Sequence, residues 1–265
     1  MKNLAAMFNT RPESIRNLLR KEGIAITNKK MRHYPRDSHY FDIIDTPDKA
    51  YWLGMFYADG TLQKNTNQLA IYLKDKEHIE KLKTALHALN HKIIEVTDTR
   101  FNNLCKTYGF TIRDAGLYNG LLNHGVMPNK SYELFGLPKI NNINLMRHFI
   151  RGYYDGDGGL SYSIREPYYR STFTISFTGN KQFLEELKTL LGLERLRLSQ
   201  NSISKITYQF TISGRQQVLS FLEWLYQDST DAIRLDRKYN KYIELLNCPA
   251  HNPRTSKMRV WPTSC

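Results

Sequence analysis

Three segments of the chain alternate apolar and polar residues with a period of two, which predicts β-strands with two different faces. In "STFTISFT", Phe173, Ile175 and Phe177 lie on one face and hydroxyl side chains lie on the other. "ITYQFTIS" (206–213) and "LAIYLK" (69–74) show the same alternation. The pattern predicts antiparallel sheets that pack one face on helices and leave one face polar.

The chain from about residue 40 to residue 247 contains two copies of one unit. "AIYLKDKEHIEKLKTAL" (70–86) resembles "ISFTGNKQFLEELKTLL" (175–191), and each is a strand that runs into a helix. "GFTIRD" and "QFTISG" follow at matching distances. The residue pattern of each copy predicts a helix, two strands, a second helix, two further strands and a third helix. We therefore predict an α+β fold, an αββαββα unit duplicated about a pseudo-twofold axis.

The N-terminal region is polar and basic, and apolar residues at helical spacing predict two short helices near residues 4–8 and 15–19. Asn9 or Thr10 is the expected N-cap of the second helix, with Pro12 in its first turn. Such a pair is typical of a helix-turn-helix, and an ordinary helical hairpin is the alternative. In a helix-turn-helix, base edges are reached from the start of the second helix. The candidate residues there are Arg11, Glu13, Ser14, Arg16 and Asn17.

These patterns divide the chain into four predicted parts. They are a helix-turn-helix-like segment with its linker (1–38), a first repeat (39–142), a second repeat (143–247) and a C-terminal tail (248–265).

The charge balance indicates a polyanionic partner. Thirty-eight Lys and Arg residues face 25 Asp and Glu residues in a chain of 265, a formal net charge of +13. Nucleic acid fits this charge best, an anionic membrane fits less often, and a merely basic protein is the alternative. Seventeen tyrosines favour nucleic acid, because flat rings with polar tips suit base and backbone contacts. No run of about 18 apolar residues indicates a membrane span.

The cysteines and the N-terminus favour an intracellular location. Cys105, Cys248 and Cys265 are scattered and odd in number, which indicates reduced thiols and not a disulfide framework. The first residues lack the long apolar core of a signal peptide.

Two glycine-containing segments align without gaps: "WLGMFYADG" (52–60) and "IRGYYDGDG" (150–158). Small residues recur four apart in both, at Gly54 and Ala58 in the first and at Gly152 and Gly156 in the second. Residues four apart share one face of a helix. The pattern therefore predicts two helices whose backbones approach closely at these four positions.

Each motif ends in an Asp-Gly pair, formed by Asp59 and Gly60 in the first copy and by Asp157 and Gly158 in the second. The glycines are expected in the left-handed conformation just past a helix end. If the two helices pack side by side, both carboxylates meet at one point. Close carboxylates repel each other unless they share a proton or bind a cation, and oxygen ligands favour Mg²⁺ or Ca²⁺.

Three simpler interpretations stay open for these segments. Asp-Gly pairs are common in hairpin turns, and glycines can pack helices without any chemistry. "DGDGGLSYSIRE" also resembles a calcium loop, with Asp155, Asp157 and Glu166 at loop positions 1, 3 and 12. Gly159 and Leu160 break that pattern, and the first copy lacks the spacing. A calcium-binding structural protein is thus one alternative class.

The paired motifs resemble those of the LAGLIDADG homing endonucleases in their single-chain, two-repeat form, over about residues 40–247. The resemblance implies a monomer whose two saddle-shaped sheets grip a long double-stranded DNA site, and a staggered double-strand break. It also implies that Asp59 and Asp157 bind the divalent metal, with the carbonyls of Ala58 and Gly156 as further ligands. Trp52, Tyr57 and Arg151 depart from the commonest choices but do not affect the acidic position.

Metals and further residues follow from the same resemblance. Mg²⁺ is the expected cofactor, Mn²⁺ is expected to substitute, and Ca²⁺ is expected to bind without supporting cleavage. Lys130 and Lys238 are similar to basic residues that act beside the scissile phosphates, and a surface role for either lysine is the alternative. Relatives of this fold also serve as intron RNA maturases or non-catalytic DNA-binding regulators. The expected DNA contacts of the sheets are Tyr72, Lys74, Arg113, Arg165, Arg170, Thr172, Thr174, Ser176, Gln209 and Thr211.

Overall fold

The computed structural model of the chain describes residues 2–23, 34–98, 105–128, 135–165, 170–202, 204, 206–247 and 261–262. The chain forms two compact units, Met1–Tyr34 and Pro35–Cys265. None of the helices in the described residues combines the length and the apolar character needed to cross a bilayer.

The first unit contains the two predicted short helices, α1 (Lys2–Met7) and α2 (Pro12–Lys21). The expected N-cap is wrong: Arg11 occupies that position, and its side chain makes no capping hydrogen bond. Asn9 instead adopts a left-handed conformation with φ of 45° in the turn between the helices. Pro12 is the first residue of α2, where its missing N–H costs nothing. No residue of α2 is buried.

The second unit shows the predicted element order in both repeats. The first repeat contains α3 (Pro47–Asp59), β1 (Gly60–Gln63), β2 (Gln68–Leu73), α4 (Lys76–Ala85), β3 (Ile93–Asp98), β4 (Cys105–Arg113) and α5 (Ala115–Asn123). The second repeat contains α6 (Ile143–Asp157), β5 (Gly158–Arg165), β6 (Arg170–Gly179), α7 (Lys181–Leu190), β7 (Ser199–Gln200), β8 (Tyr208–Ser213) and α8 (Arg215–Tyr226). Short 3₁₀ turns occur at Lys64–Thr66 and Asp231–Ile233, and a further helix, α9 (Asp236–Leu246), follows α8.

Each repeat folds its strands into an antiparallel sheet of four, in the orders β1-β2-β4-β3 and β5-β6-β8-β7. The period-two pattern is confirmed in β6, where Phe173, Ile175 and Phe177 are buried against helices. Ile175 pairs with Ile212 on β8, so apolar residues line up across the strands. The predicted α+β class and the duplicated αββαββα order are therefore confirmed.

The two motif helices, α3 and α6, form the centre of the second unit. Thr46 caps α3 by accepting a hydrogen bond from the Lys49 amide at 3.3 Å, and Asn142 caps α6 by accepting one from Asn144 at 2.9 Å. Every residue of α3 from Ala50 to Ala58 is buried. A helix that is apolar on all sides must lie inside the core, which explains why its sequence shows no amphipathic stripe.

The end of the tail packs against α8. The Trp261 ring is buried on Phe221, with centroids 4.8 Å apart, and its indole N–H donates to the Ser220 hydroxyl at 3.1 Å. The Trp224 indole in turn donates to the Pro262 carbonyl at 2.7 Å. These contacts anchor residues 261–262 on the helical side of the second sheet.

Candidate active site

Helices α3 and α6 touch through their glycines. A Cβ atom at Gly54 would overlap the Phe149 carbonyl and lie 2.8 Å from the Tyr153 nitrogen. A Cβ atom at Gly152 would overlap the Tyr51 carbonyl. Each glycine thus lets the backbone of the opposite helix into the space that any other side chain would occupy.

The two aspartates end these helices side by side. Asp59 is the last residue of α3, and Asp157 is the last residue of α6. A Cβ atom at Gly156 would lie 2.9 Å from Asp59 Oδ2 and would overlap the Ala58 methyl group. The Asp59 carboxylate therefore lies against the residue that directly precedes Asp157, and both aspartates are partly exposed.

The glycines that follow the aspartates serve a different purpose from the one expected. Gly60 has φ of −71° and Gly158 has φ of −85°, so the predicted left-handed caps are wrong. Both residues are extended and begin strands. A Cβ atom at either would lie 2.5 Å from the carbonyl oxygen four residues earlier, on Phe56 or Tyr154. Glycine is needed here because the chain turns from helix to strand without room for a side chain.

The helical position of the second motif excludes a calcium loop. Asp155 and Asp157 belong to α6, and Asp155 is buried with only 2% of its surface exposed. Neither residue can supply an early ligand of a calcium loop from that position. Glu166, the third expected ligand, lies outside the described residues.

Two cavities flank the pair of carboxylates. One, of about 330 Å³, is lined by Asp157, Tyr57 and Tyr153 among others. The second, of about 370 Å³, is lined by Asp59, Lys74, Asp155 and Lys238 among others. Asp157 thus lines one cavity and Asp59 lines the other.

Lys238 lies against the end of α6. Its ammonium group donates to the carbonyls of Tyr154 and Gly158 and lies 4.8 Å from the centroid of the Tyr154 ring. A cation at a helix C-terminus offsets the negative end of the helix dipole. Burial lowers the pKa of Lys238 to about 8, while the negative charges of Asp155, Asp59 and Asp157 act in the opposite direction.

The other predicted lysines have different outcomes. Lys130 lies outside the described residues, so its role stays a prediction. Lys74 is exposed just after β2 and lines the same cavity as Asp59.

The second sheet turns hydroxyl and amide side chains toward its open face. Ser176 pairs with Thr211 across β6 and β8, and Thr178 pairs with Gln209. The Thr172 hydroxyl bonds to Ser163 on β5 at 2.9 Å. Of the residues predicted to bind DNA, this face includes Thr172, Thr174, Ser176, Gln209 and Thr211. Arg165 and Arg170 pair at the β5–β6 end, and their side chains lie outside the described part of the structure.

The open face of the first sheet is more apolar than expected. The Tyr72 ring is 46% exposed and covers Gly109 on the neighbouring strand, where a Cβ atom would overlap the ring. Ile94 lies opposite Gly109 on the other side and is also exposed, as is Val96. The sequence interpretation missed these two residues, although their alternation with polar residues in β3 marks an outward face. Arg113 bonds to Gln68 at 3.1 Å, where the two central strands β2 and β4 end their pairing.

The DNA-binding candidates of the first unit lie on α2 or at its start. Arg11, Ser14 and Asn17 are exposed, and Arg16 forms an ion pair with Glu13 at 2.7 Å. An exposed pair of this kind holds the arginine only weakly.

A buried polar network that the sequence interpretation missed joins the repeats beneath the aspartates. The Tyr51 hydroxyl donates to Asp155 at 2.8 Å, and the Leu235 amide donates to the same carboxylate oxygen at 2.8 Å. Tyr226 donates to the other oxygen at 3.3 Å. Burial raises the pKa of Asp155, and the charge of Lys238 opposes this shift.

His78 extends the network into the first repeat. Its Nε2 atom lies 2.9 Å from the Tyr51 hydroxyl. Since the single proton of that hydroxyl goes to Asp155, His78 donates from Nε2 to the Tyr51 oxygen. Its buried Nδ1 atom has no hydrogen-bond partner among the residues that the structure describes. Burial lowers the pKa of His78 to about 3.

We expect acid to destabilise the protein through His78. Its pKa falls from 6.5 in the unfolded chain to about 3 in the fold, so the unfolded state binds the extra proton between these values and stability declines as pH falls below 6.5. From pH 7 to pH 5 this residue alone should remove about 2 kcal/mol from the free energy of unfolding. Urea unfolding at both pH values measures the loss.

A pair of variants isolates that contribution. His78→Gln keeps a donor for Tyr51 but cannot titrate, so its stability should decline less between pH 7 and pH 5. His87→Asn replaces an exposed histidine in the left-handed conformation, which asparagine tolerates, and should leave the decline unchanged. An equal decline in all three proteins would contradict the assignment.

Arg151, which departs from the commonest motif residue, is a structural group. It is fully buried and donates to the carbonyls of Ile233 at 2.8 Å and Leu225 at 3.1 Å, and it lies 2.6 Å from His148 Nδ1. These bonds tie α6 to α8 and to the segment that joins α8 to α9.

The residues present fit a hard divalent cation. Within the described ranges, no three His, Cys, Asp or Glu side chains are grouped to hold a metal ion. The site instead offers the carboxylates of Asp59 and Asp157 beside the last main-chain carbonyls of α3 and α6. Such oxygen donors suit Mg²⁺ and Ca²⁺ and do not suit zinc.

The comparisons with known proteins agree with this architecture. Residues 144–225 match the family model of the LAGLIDADG-like domain. That match and the duplicated fold confirm the resemblance inferred from the two motifs: the second unit has the LAGLIDADG homing-endonuclease fold.

Individual similar proteins are distant in sequence. An uncharacterised protein of Methanocaldococcus jannaschii is 26% identical over 181 residues, a match that covers 65% of this chain and 66% of the relative, slightly less than two thirds of its length. Meganuclease I-SmaMI, solved bound to an uncleavable DNA, aligns with a TM-score of 0.50 and 14% identity over 76% of this chain and 89% of that structure. The LAGLIDADG homing endonuclease I-GzeII, solved with its DNA target, gives 0.51 and 11% over 76% and 89%. At these identities the likeness establishes the fold.

Proposed function

We propose that this chain is a divalent-metal-dependent, sequence-specific DNA endonuclease that makes a staggered double-strand break in a long recognition site. The observation that carries the proposal is the meeting of Asp59 and Asp157 at the adjoining ends of α3 and α6, with Gly156 against the Asp59 carboxylate. A purely structural helix pair has no need for a carboxylate at each of two adjoining helix ends, because nearby like charges cost stability.

The side chains divide the work of phosphodiester hydrolysis. Asp59 and Asp157 would hold the metal ion, and the carbonyls of Ala58 and Gly156 are further candidate ligands. When bound, a divalent ion would activate water and neutralise charge on the phosphate and on the departing 3′ oxygen. Lys238, mostly protonated at neutral pH, adds positive charge near the carboxylates and stabilises developing negative charge. We assign Lys130 the corresponding role in the first half.

Several features support DNA as the substrate. The chain carries a formal net charge of +13. Polar side chains cover the open face of the second sheet, and a two-stranded ribbon fits the major groove of DNA. I-SmaMI and I-GzeII, which share the fold, were solved with DNA. We infer an intracellular monomer in which each repeat contacts one half of the site.

The proposal is tested by cleavage selection on a randomised double-stranded DNA library with Mg²⁺, followed by sequencing of the ends. We expect one preferred site with staggered ends, cleavage with Mn²⁺ in place of Mg²⁺, and binding without cleavage in Ca²⁺. If the protein shifts DNA or structured RNA in a gel but cuts no library member with either Mg²⁺ or Mn²⁺, the endonuclease proposal is wrong and a non-catalytic binder or RNA maturase replaces it.

Deletion of residues 1–34 should weaken binding and shorten the footprint. The exposed basic side chains Arg11, Arg20 and Lys21 lie on or beside α2, where they can reach phosphates. A plot of the logarithm of the association constant against the logarithm of the salt concentration has a negative slope. This slope should become shallower by about 0.9 for each phosphate that the shortened chain no longer binds. Fluorescence anisotropy over a salt series and DNase footprinting measure both effects.

The end point of this deletion matters for its interpretation. Arg36 and Ser38 both bind the buried carboxylate of Asp114, which caps α5, so a longer deletion would damage the second unit. Cleavage by the shortened chain at low salt is the control that its fold is intact. An unchanged affinity and footprint would show that the first unit does not bind DNA.

A further inference from the structure

The two motif helices differ at one buried position near their ends. Tyr57 of α3 and Asp155 of α6 both stand two residues before the metal-binding aspartate of their helix. The Tyr57 hydroxyl donates to the His124 carbonyl at 2.6 Å, just past the end of α5. Asp155 accepts the Leu235 amide at 2.8 Å, at the N-cap of α9. In both repeats the residue at this position thus bonds to a backbone group that follows the last helix of the repeat. Tyr57 does so as a neutral donor, and Asp155 does so as a carboxylate.

Helix α9 is the element that carries Lys238. The Lys238 amide donates to the Leu235 carbonyl at 3.0 Å in the first turn, and its ammonium group donates to the carbonyls of Tyr154 and Gly158. Those two carbonyls flank Asp155 and Asp157 along α6 and β5. Asp155 and Lys238 therefore hold the start of α9 against the end of α6 from two directions.

Two further ties on this end of α9 are ion pairs with an exposed partner. Asp236 pairs with Lys81 at 2.7 Å, and Arg237 pairs with Asp75 at 3.3 Å. Ion pairs with an exposed partner contribute little to stability, because water screens the attraction and ordering two long side chains costs entropy. Asp155, by contrast, is buried, and of the three hydrogen bonds that it accepts, the one from the Leu235 amide joins α6 directly to the start of α9.

Stability alone does not explain why the buried residue 155 is an aspartate. Replacing buried ionic groups by apolar residues of similar volume is often neutral or stabilising. What Asp155 adds is direction, because it places the Leu235 amide, and with it the first turn of α9, at a defined point beside the cavity that Asp59 and Lys238 line.

We propose that Asp155 is a positioning residue that holds α9, and through it Lys238, beside one of the two scissile phosphates. The inference rests on the proposed endonuclease function. It adds that the two halves of the active site are held in place by different groups, a tyrosine hydroxyl in the first repeat and a carboxylate in the second. One DNA strand is cut in the half that depends on Asp155, and the other strand is cut without its help.

The test measures each strand separately. A duplex that carries the selected site is labelled with a different fluorophore on each strand, and single-turnover rates are followed with Mg²⁺. Asp155→Leu should slow cleavage of one strand about tenfold to a hundredfold and leave cleavage of the other strand at the wild-type rate. Small misplacements of a catalytic group cost about that much in rate. Asp155→Asn keeps an oxygen that accepts the Leu235 amide and should restore most of the lost rate. Tyr57→Phe should not slow the strand that depends on Asp155.

Hydrogen exchange of the full chain without DNA gives a second measurement. Amides at the start of α9 should exchange faster in Asp155→Leu and at the wild-type rate in Asp155→Asn. Equal slowing of both strands, or unchanged exchange in Asp155→Leu, would overturn the positioning role while leaving the endonuclease intact. If the wild-type chain cuts neither strand, the proposed function fails and this inference fails with it.

Discussion

Asp59→Asn and Asp157→Asn, each alone, should lower the rate of double-strand cleavage by at least about 100-fold, while DNA binding persists. Loss of groups that merely support metal ligands costs about 10- to 100-fold, so loss of a ligand itself should cost no less. Binding persists because it depends on the sheets and on phosphate contacts, and because removing a negative charge near the DNA cannot weaken it electrostatically. Plasmid linearisation and gel shift measure the two effects.

A matched control shows that the position matters and not the chemistry of the substitution. Asp228 is mostly exposed, pairs with Arg147 at 2.8 Å and has φ of 56°. Asparagine tolerates that conformation, so Asp228→Asn should cleave normally. Full linear product from the double variant Asp59→Asn/Asp157→Asn would refute the assignment of the active site. Loss of binding in either single variant would show that the aspartates serve the fold instead.

Gly152→Ala should destabilise the second unit by about 3 kcal/mol or more. The added methyl group would overlap the Tyr51 carbonyl and lie 3.0 Å from the Met55 nitrogen, and both atoms belong to the backbone of α3. Overpacking usually costs about 1–3 kcal/mol, and here the neighbour is a helix backbone that cannot rotate away as a side chain can. Denaturant unfolding measures the loss, and Gly54→Ala should behave alike.

Asn119→Ala provides the control for this series. Asn119 is exposed on α5, so the change should stay within about 0.5 kcal/mol. If Gly152→Ala folds with wild-type stability, the two helices do not pack as closely as the structure places them. If it folds but is less stable, it should also cleave poorly, because separating the helices separates Asp59 from Asp157.

Much of the fold was predictable from local patterns. Period-two alternation located β2, β6 and β8, because one face of each strand must be buried. The duplicated motifs identified α3 and α6 as a pair, because small residues four apart have no value on an isolated helix. The same alignment also distinguished Asp157 from Asp155, because Asp157 aligns with Asp59 whereas Asp155 aligns with Tyr57.

The errors arose where a local rule met a tertiary constraint. Glycine after a helix usually indicates a left-handed cap. At Gly60 and Gly158 the chain instead enters a strand directly, and glycine is required by the carbonyl four residues earlier. The N-cap of α2 was wrong for a local reason, since a preference among neighbouring residues shifts easily by one or two positions.

The sequence by itself determined the duplication, the two helix-ending aspartates and the small residues that let the helices meet, since each of these is written in spacing along the chain. Only the tertiary structure decided what surrounds them. Asp155 lies 80 residues from Leu235 and 104 from Tyr51, and Lys238 lies 84 from Tyr154, so no local pattern connects them. They meet because the packing of α3, α6, α8 and α9 closes a low-dielectric space in which buried polar groups must find one another.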